Sequence, residues 1–166
     1  MAPPSPRASL KASYPYYLAN QPVYANTDLE IIDKYTQQVA TRVARADDET
    51  VRKAITAAVE AQPAMAALPA YERKAILLEV AKQLTERLEE FAMALCIEAG
   101  KPIKDARAEI IRGVDTFTVA AEEAVRQHGE FLPLDISKRV HGFNGIVRRF
   151  PNGPVAMISP FNFPVP

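Results

Sequence analysis

The stretch Gly153-Pro154-Val155-Ala156-Met157-Ile158-Ser159-Pro160-Phe161-Asn162-Phe163-Pro164 decides how the rest of the chain is read. Pro151-Asn152-Gly153-Pro154 is a strong turn signal, because these residue types favour turn backbone and interrupt a ladder. Val155-Ala156-Met157-Ile158 is then an unbroken apolar run. Such a run between turn signals fits a strand buried on both faces, the kind that fills a parallel sheet. Ser159-Pro160-Phe161-Asn162-Phe163-Pro164 comes next as a loop stiffened by prolines on both sides of Asn162. A parallel partner is reached only through a crossover of about a dozen residues or more, and no crossover is present after it in this sequence. The expectation is the N-terminal part of a larger α/β protein.

Upstream of that stretch, Phe131-Leu132-Pro133-Leu134 and Gly145-Ile146-Val147-Arg148-Arg149-Phe150 read as the strands of a ribbon. Further upstream the period changes to helical. Of 14 prolines only Pro63, Pro69 and Pro102 lie between Pro22 and Pro133, so the middle can hold long helices. Ile103, Ala106, Ile110, Val114, Phe117 and Ala121 step by three or four after Pro102, with Gly129 as a stop. Ile76, Leu77, Val80 and Leu84 give a second stripe after Pro69, and Leu88, Phe91 and Leu95 carry it to Gly100. Asp47 is placed to cap an earlier helix with Val51, Ile55, Ala58 and Val59 on one face, and Pro63 is expected to end it. Residues 16–45 read as short strands. A turn at Ala19-Asn20-Gln21 comes early, and a second over residues 33–37 separates Leu29-Glu30-Ile31-Ile32 from Val39-Ala40-Thr41-Arg42-Val43. The expected divisions are a flexible tail over 1–14, strands and a helical layer over 15–129, a ribbon over 130–150, and the first sheet strand with its loop over 151–166.

Composition narrows the function. The chain has 166 residues, with 20 Lys plus Arg balanced by 20 Asp plus Glu. A balanced charge argues against general nucleic-acid binding, which needs a cationic field. One cysteine and two histidines exclude an internal disulfide framework and argue against a metal site. No apolar run reaches the roughly 20 residues of a membrane span, and the cytoplasm is the expected compartment. The Gly-rich and Ser-centred fingerprints of nucleotide binding and hydrolysis are missing from the sequence.

Few residues invite chemistry. Cys96 falls near a helix C-terminus beside Glu98, where the dipole disfavours a thiolate. A cysteine hydrolase built on Cys96 with His128 or His141 is therefore a remote reading. Asp47-Asp48, Glu89-Glu90 and Glu122-Glu123 are adjacent on helices and point about 100° apart, so they read as solvated faces. Lys138, Arg139, Arg148 and Arg149 fit either an anion site or a charged edge that blocks strand pairing. Asn162 lies directly after a buried strand, and strand C-termini of open α/β sheets are where ligands bind. Its amide can donate to a developing oxyanion or satisfy loop backbone, and the residues leave both open.

The segment Gly153 to Pro164 resembles the strand-and-turn signature of the NAD(P)-dependent aldehyde dehydrogenase superfamily. Ile97-Glu98-Ala99-Gly100-Lys101-Pro102, with Ala106 and Glu109 after it, resembles that family's E-x-G-K-P helix junction. The likeness covers roughly residues 17–165. It implies the N-terminal part of an aldehyde dehydrogenase-like α/β fold. That part would hold short antiparallel strands, three to four helices, a β-ribbon arm and the first Rossmann-like strand. It implies oxidation of a small-molecule aldehyde to an acid or thioester with NAD or NADP, through a cysteine thiohemiacetal. Asn162 would be the oxyanion donor. Ile158, Ser159, Pro160 and Phe161 would line the cofactor, and residues 131–150 would join copies into a homo-oligomer, with no nucleic-acid or membrane partner. The family's catalytic cysteine, its glutamate and its ribose-reading lysine have no counterpart here, so the segment alone is expected to be inactive. The alternative is a non-catalytic module of helices and ribbon that docks on a partner.

Overall fold

A computed structural model describes residues 10–166. Strands β1 (Ser13–Tyr14), β2 (Tyr16–Leu18), β3 (Gln21–Val23), β4 (Leu29–Ile32) and β5 (Val39–Val43) come first. Helices α1 (Asp48–Ala67), α2 (Ala70–Glu86), α3 (Leu88–Ala99) and α4 (Ile103–Ala124) come next, then β6 (Glu130–Pro133) and β7 (Asn144–Val147). No helix among the described residues is long and apolar enough to cross a membrane.

The strands form three small units. β2 and β3 make an antiparallel hairpin closed by Ala19 and Asn20, both at positive φ, as a two-residue turn of matching twist requires. β4 and β5 pair antiparallel. Asp33 shapes the turn between them by accepting the Tyr35 and Thr36 amides. β1 lies parallel on the other side of β5, with Ser13 opposite Arg42 and Tyr14 opposite Val43. β1 thus falls within the expected tail, and its pairing is parallel while the other described pairings are antiparallel, as expected. Residues 1–9 lie outside the described residues, but Ser13 and Tyr14 are tied down. The Tyr14 carbonyl accepts the Ala44 amide at 2.9 Å, and the Lys11 carbonyl accepts the hydroxyl of buried Thr41 at 2.8 Å.

The core sits where α2, α3 and α4 meet. Leu84, Ala92, Leu95, Ala106 and Ile110 are buried together, and Val80, Leu88, Phe91, Ile103, Val114 and Phe117 frame them. The α4 stripe is as expected, although the helix ends at Ala124 rather than near Gly129. Ile76, expected in the α2 stripe, faces solvent, and Ala81 takes the buried position. The pattern expected to run unbroken to Gly100 bends at Arg87, whose guanidinium turns back on Glu90 through two hydrogen bonds of 2.8 and 2.6 Å. α1 continues through Pro63 to Ala67. Residues 64–67, Ala-Met-Ala-Ala, are strong helix formers, and α1 is solvent-accessible along its length, so the carbonyl freed by the proline ring is cheaply hydrated.

One difference bears on function. Residues 155–158 form no strand and lie exposed, Ile158 at 96%. Strand formation is collective: a β-prone run needs neighbours for its backbone donors and acceptors. None of the described strands lies beside this run, so the expected first Rossmann-like strand is an extended, unpaired segment here.

Candidate functional site

The site is assembled at the junction of α3 and α4. Gly100 ends α3 in the left-handed conformation (φ 71°), its amide bonded to the Cys96 carbonyl at 3.1 Å. That reversal sets Lys101 and Pro102 at the head of α4. Two turns along α4, Glu109 falls on the buried face beside Ile110. Its side chain has 0% exposure and is ion-paired with the Lys101 ammonium, itself mostly buried.

The C-terminal loop docks on this pair. The Val165 amide donates to Glu109 Oε1 at 3.4 Å. Two cations stand over the Phe163 ring, with Lys101 Nζ at 4.0 Å and the Arg112 guanidinium carbon at 4.5 Å from its centroid. Phe163 takes a left-handed backbone (φ 62°), unusual for an aromatic residue. Gly113 makes room: a Cβ there would stand 2.9 Å from Val165 Cγ1. The loop thus turns Phe163 toward α4 and leaves Asn162 in a groove of about 580 Å³ with Ile31, Lys34, Glu98 and Lys101. Among the described residues the Asn162 amide has no hydrogen-bond partner, so its donors are available to a ligand. Glu98 is an exposed residue overall, yet the packing around its carboxyl pushes its pKa up, with Lys34 pulling back.

The two stretches that carried the family resemblance are therefore in contact, although 56 residues separate Glu109 from Val165. Asn162 and Phe161 reach the groove. Ile158, Ser159 and Pro160 are exposed and do not line this groove. Arg112 and Gly113 were not singled out by sequence. The available signal was a carboxylate, Glu109, on the apolar face of a helix.

The other candidates scatter. Cys96 packs against the core, and burial pushes its thiol up against a weaker pull from Arg107. His128 and His141 are exposed and apart, and no group of metal-ligating side chains forms among the described residues. Arg148 and Arg149 join Arg73 in a separate cleft of about 860 Å³ between α1 and residues 148–155, where the Arg148 guanidinium stacks on Phe150. Lys138 and Arg139 lie on a single 3-10 turn between β6 and β7.

Comparison with known proteins agrees with this geometry. The model of the aldehyde dehydrogenase family matches residues 22–166. A 3-sulfolactaldehyde dehydrogenase from Priestia aryabhattai is 37% identical over 137 residues, which is 82% of this chain and 28% of that protein. The crystal structure of aldehyde dehydrogenase 21 from Physcomitrella patens, in complex with the reaction product succinate, is 54% identical with a TM-score of 0.87. It covers 92% of this chain and 32% of its own. Glyceraldehyde-3-phosphate dehydrogenase GapN from Methanocaldococcus jannaschii, complexed with NADP, is 37% identical with a TM-score of 0.64, over 66% of this chain and 24% of its own. The chain thus spans less than a third of the length of each of these relatives. With a family model matched over most of its length and both motif stretches packed together, the chain belongs to the aldehyde dehydrogenase family.

Proposed function

We propose that the complete protein oxidises an aldehyde to a carboxylic acid with NAD or NADP, and that this chain contributes Asn162 to the reacting site. The observation that carries the proposal is the presentation of a free Asn162 amide in a groove by a loop docked on Glu109 and Phe163. In this reading a cysteine outside these residues attacks the aldehyde carbon and the carbonyl oxygen becomes an oxyanion. The Asn162 amide donates to that oxygen as charge develops, which is where a preorganised donor counts most. NAD(P) supplies the hydride acceptor. A glutamate outside these residues then activates water, and acid leaves. Cys96, half-buried against the core with its thiol pushed up by that burial, is not the nucleophile in this reading.

The fit to the cofactor rests on the backbone of Ile158, Ser159, Pro160 and Phe161, which is exposed and carries no backbone hydrogen bonds among the described residues. Those groups are free to line its adenosine side. The ribbon β6–β7 exposes Phe131 and Ile146, which supports residues 131–150 as the surface joining copies of the protein. Two relatives point to a substrate class. One carries succinate as its product and the other is a sulfolactaldehyde dehydrogenase, so a short aldehyde with an anionic group comes first.

The test is NAD(P)H formation by the complete protein on short semialdehydes and neutral aldehydes of equal length. Asn162→Ala is expected to lower kcat by about 100- to 1,000-fold. The 166-residue chain alone is expected to form no NAD(P)H. An unimpaired Asn162→Ala enzyme would remove the oxyanion role.

A further inference from the structure

We propose that Glu109 is a positioning residue for Asn162, setting the aim of its amide through Lys101, Phe163 and the Val165 backbone. The inference rests on the oxyanion role of Asn162 and adds the device that holds it. Glu109 has a fully buried carboxylate on the apolar face of α4. A buried ion pair adds little stability over a well-packed apolar pair, so packing alone does not account for its place there. What the carboxylate does uniquely is bind two things at once. One oxygen holds the Lys101 ammonium and the other accepts the Val165 amide.

The ammonium so fixed is one of the two cations on the Phe163 ring, the other being Arg112. Phe163 is held by its ring on one side and by the Val165 anchor two residues on. Its left-handed backbone then reverses the chain directly after Asn162. The Asn162 side chain is exposed and makes no hydrogen bond among the described residues. The backbone from which that amide projects is held by Phe163 and Val165, and these in turn by the Lys101–Glu109 pair. With Glu109 neutralised, the Lys101 ammonium loses its partner and has reason to leave the ring.

The experiment is a double-mutant cycle on the complete protein, reading kcat and the KM for the coenzyme. Glu109→Gln keeps the shape and the acceptor for Val165 but removes the charge. It is expected to lower kcat at least tenfold or so, since small misplacement of a reacting group is costly, with KM for the coenzyme unchanged. In the Asn162→Ala background the same change is expected to cost less than about twofold, because the group it aims is gone. An equal loss in both backgrounds would make Glu109 a stability residue and overturn the proposal. So would a Glu109→Gln enzyme with undiminished kcat. Phe163→Leu leaves the buried pair intact and gives the same cycle should Glu109→Gln not fold. Asn162→Ala with full kcat overturns the oxyanion reading itself. Asn162→Ala impaired, with Glu109→Gln additive to it, overturns only the positioning role.

Discussion

Ile110 and Ile111 are neighbours on α4 with opposite surroundings, and truncating each to alanine separates packing from propensity. Ile110 is 0% exposed and Ile111 is 52% exposed. Each change removes three carbons and gains the same few tenths of a kcal/mol in helix propensity. At Ile110 the lost transfer energy is about 2.4 kcal/mol, at roughly 0.8 kcal/mol per carbon. A cavity term adds to this, because two neighbours in the cluster, Ala92 and Ala106, are too short to fill the space. The expected cost is about 3 to 4 kcal/mol at Ile110 and below about 1 kcal/mol at Ile111. Equilibrium urea unfolding of the 166-residue chain, monitored by far-ultraviolet circular dichroism, measures both. With a slope of about 2 kcal/mol per molar, the Ile110→Ala midpoint should fall by roughly 1.5 to 2 M and the Ile111→Ala midpoint by under about 0.5 M. Midpoints that fall together would refute the placement of the core on this face of α4.

Local geometry gives two further outcomes. Gly100→Ala puts a Cβ at a left-handed position and 3.2 Å from Lys34 Cβ, which should cost about 1 to 2 kcal/mol; a thermal midpoint equal to or above that of the parent would contradict the cap. The Asp47 carboxyl is held below its ordinary value of 3.8, chiefly by the Thr50 hydroxyl and then by the Thr50 amide. A depressed carboxyl stabilises above its unfolded value and loses that contribution as pH falls through its folded value. The first turn of α1 should therefore stay capped down to pH 3.8 and fray as pH falls below that value. Carboxyl titration by NMR should show Thr50→Ala moving the Asp47 midpoint up toward 3.8, and an unmoved midpoint would dispose of the cap's role.

Local signals were legible. The α4 stripe at Ala106, Ile110 and Ala121 is a one-dimensional pattern, and so are the β-branched, partly alternating runs of β4 and β5. The hairpin at Ala19 and Asn20 and the stop at Gly100 are written in residue type. Pro63 misled because a proline's cost depends on its C-terminal neighbours and on exposure, not on the residue alone. Residues 155–158 carry a strand's composition, but pairing is a property of the neighbours. Asn162 stood out as an amide between prolines after an apolar run. Arg112 and Gly113 did not, because their meaning arises only when the loop from the far end of the chain lands on them. Lys101 and Glu109 entered through the family resemblance, and only the fold shows them holding that loop.

The five core residues of the helical layer all lie between positions 84 and 110, and its last helix is complete at Ala124. That economy has a temporal consequence. During synthesis at about 5 to 20 residues per second, some two to six seconds separate the emergence of α4 from that of the apolar run beginning at Val155. Helix formation and small-core collapse need far less than a second. The layer has time to form before the run emerges, so the loop bearing Asn162 is expected to arrive at a seat already shaped by Glu109 and Gly113. The order expected from these timescales is the helical layer first and the Asn162 loop second, so damage to the layer is expected to act on the nascent chain.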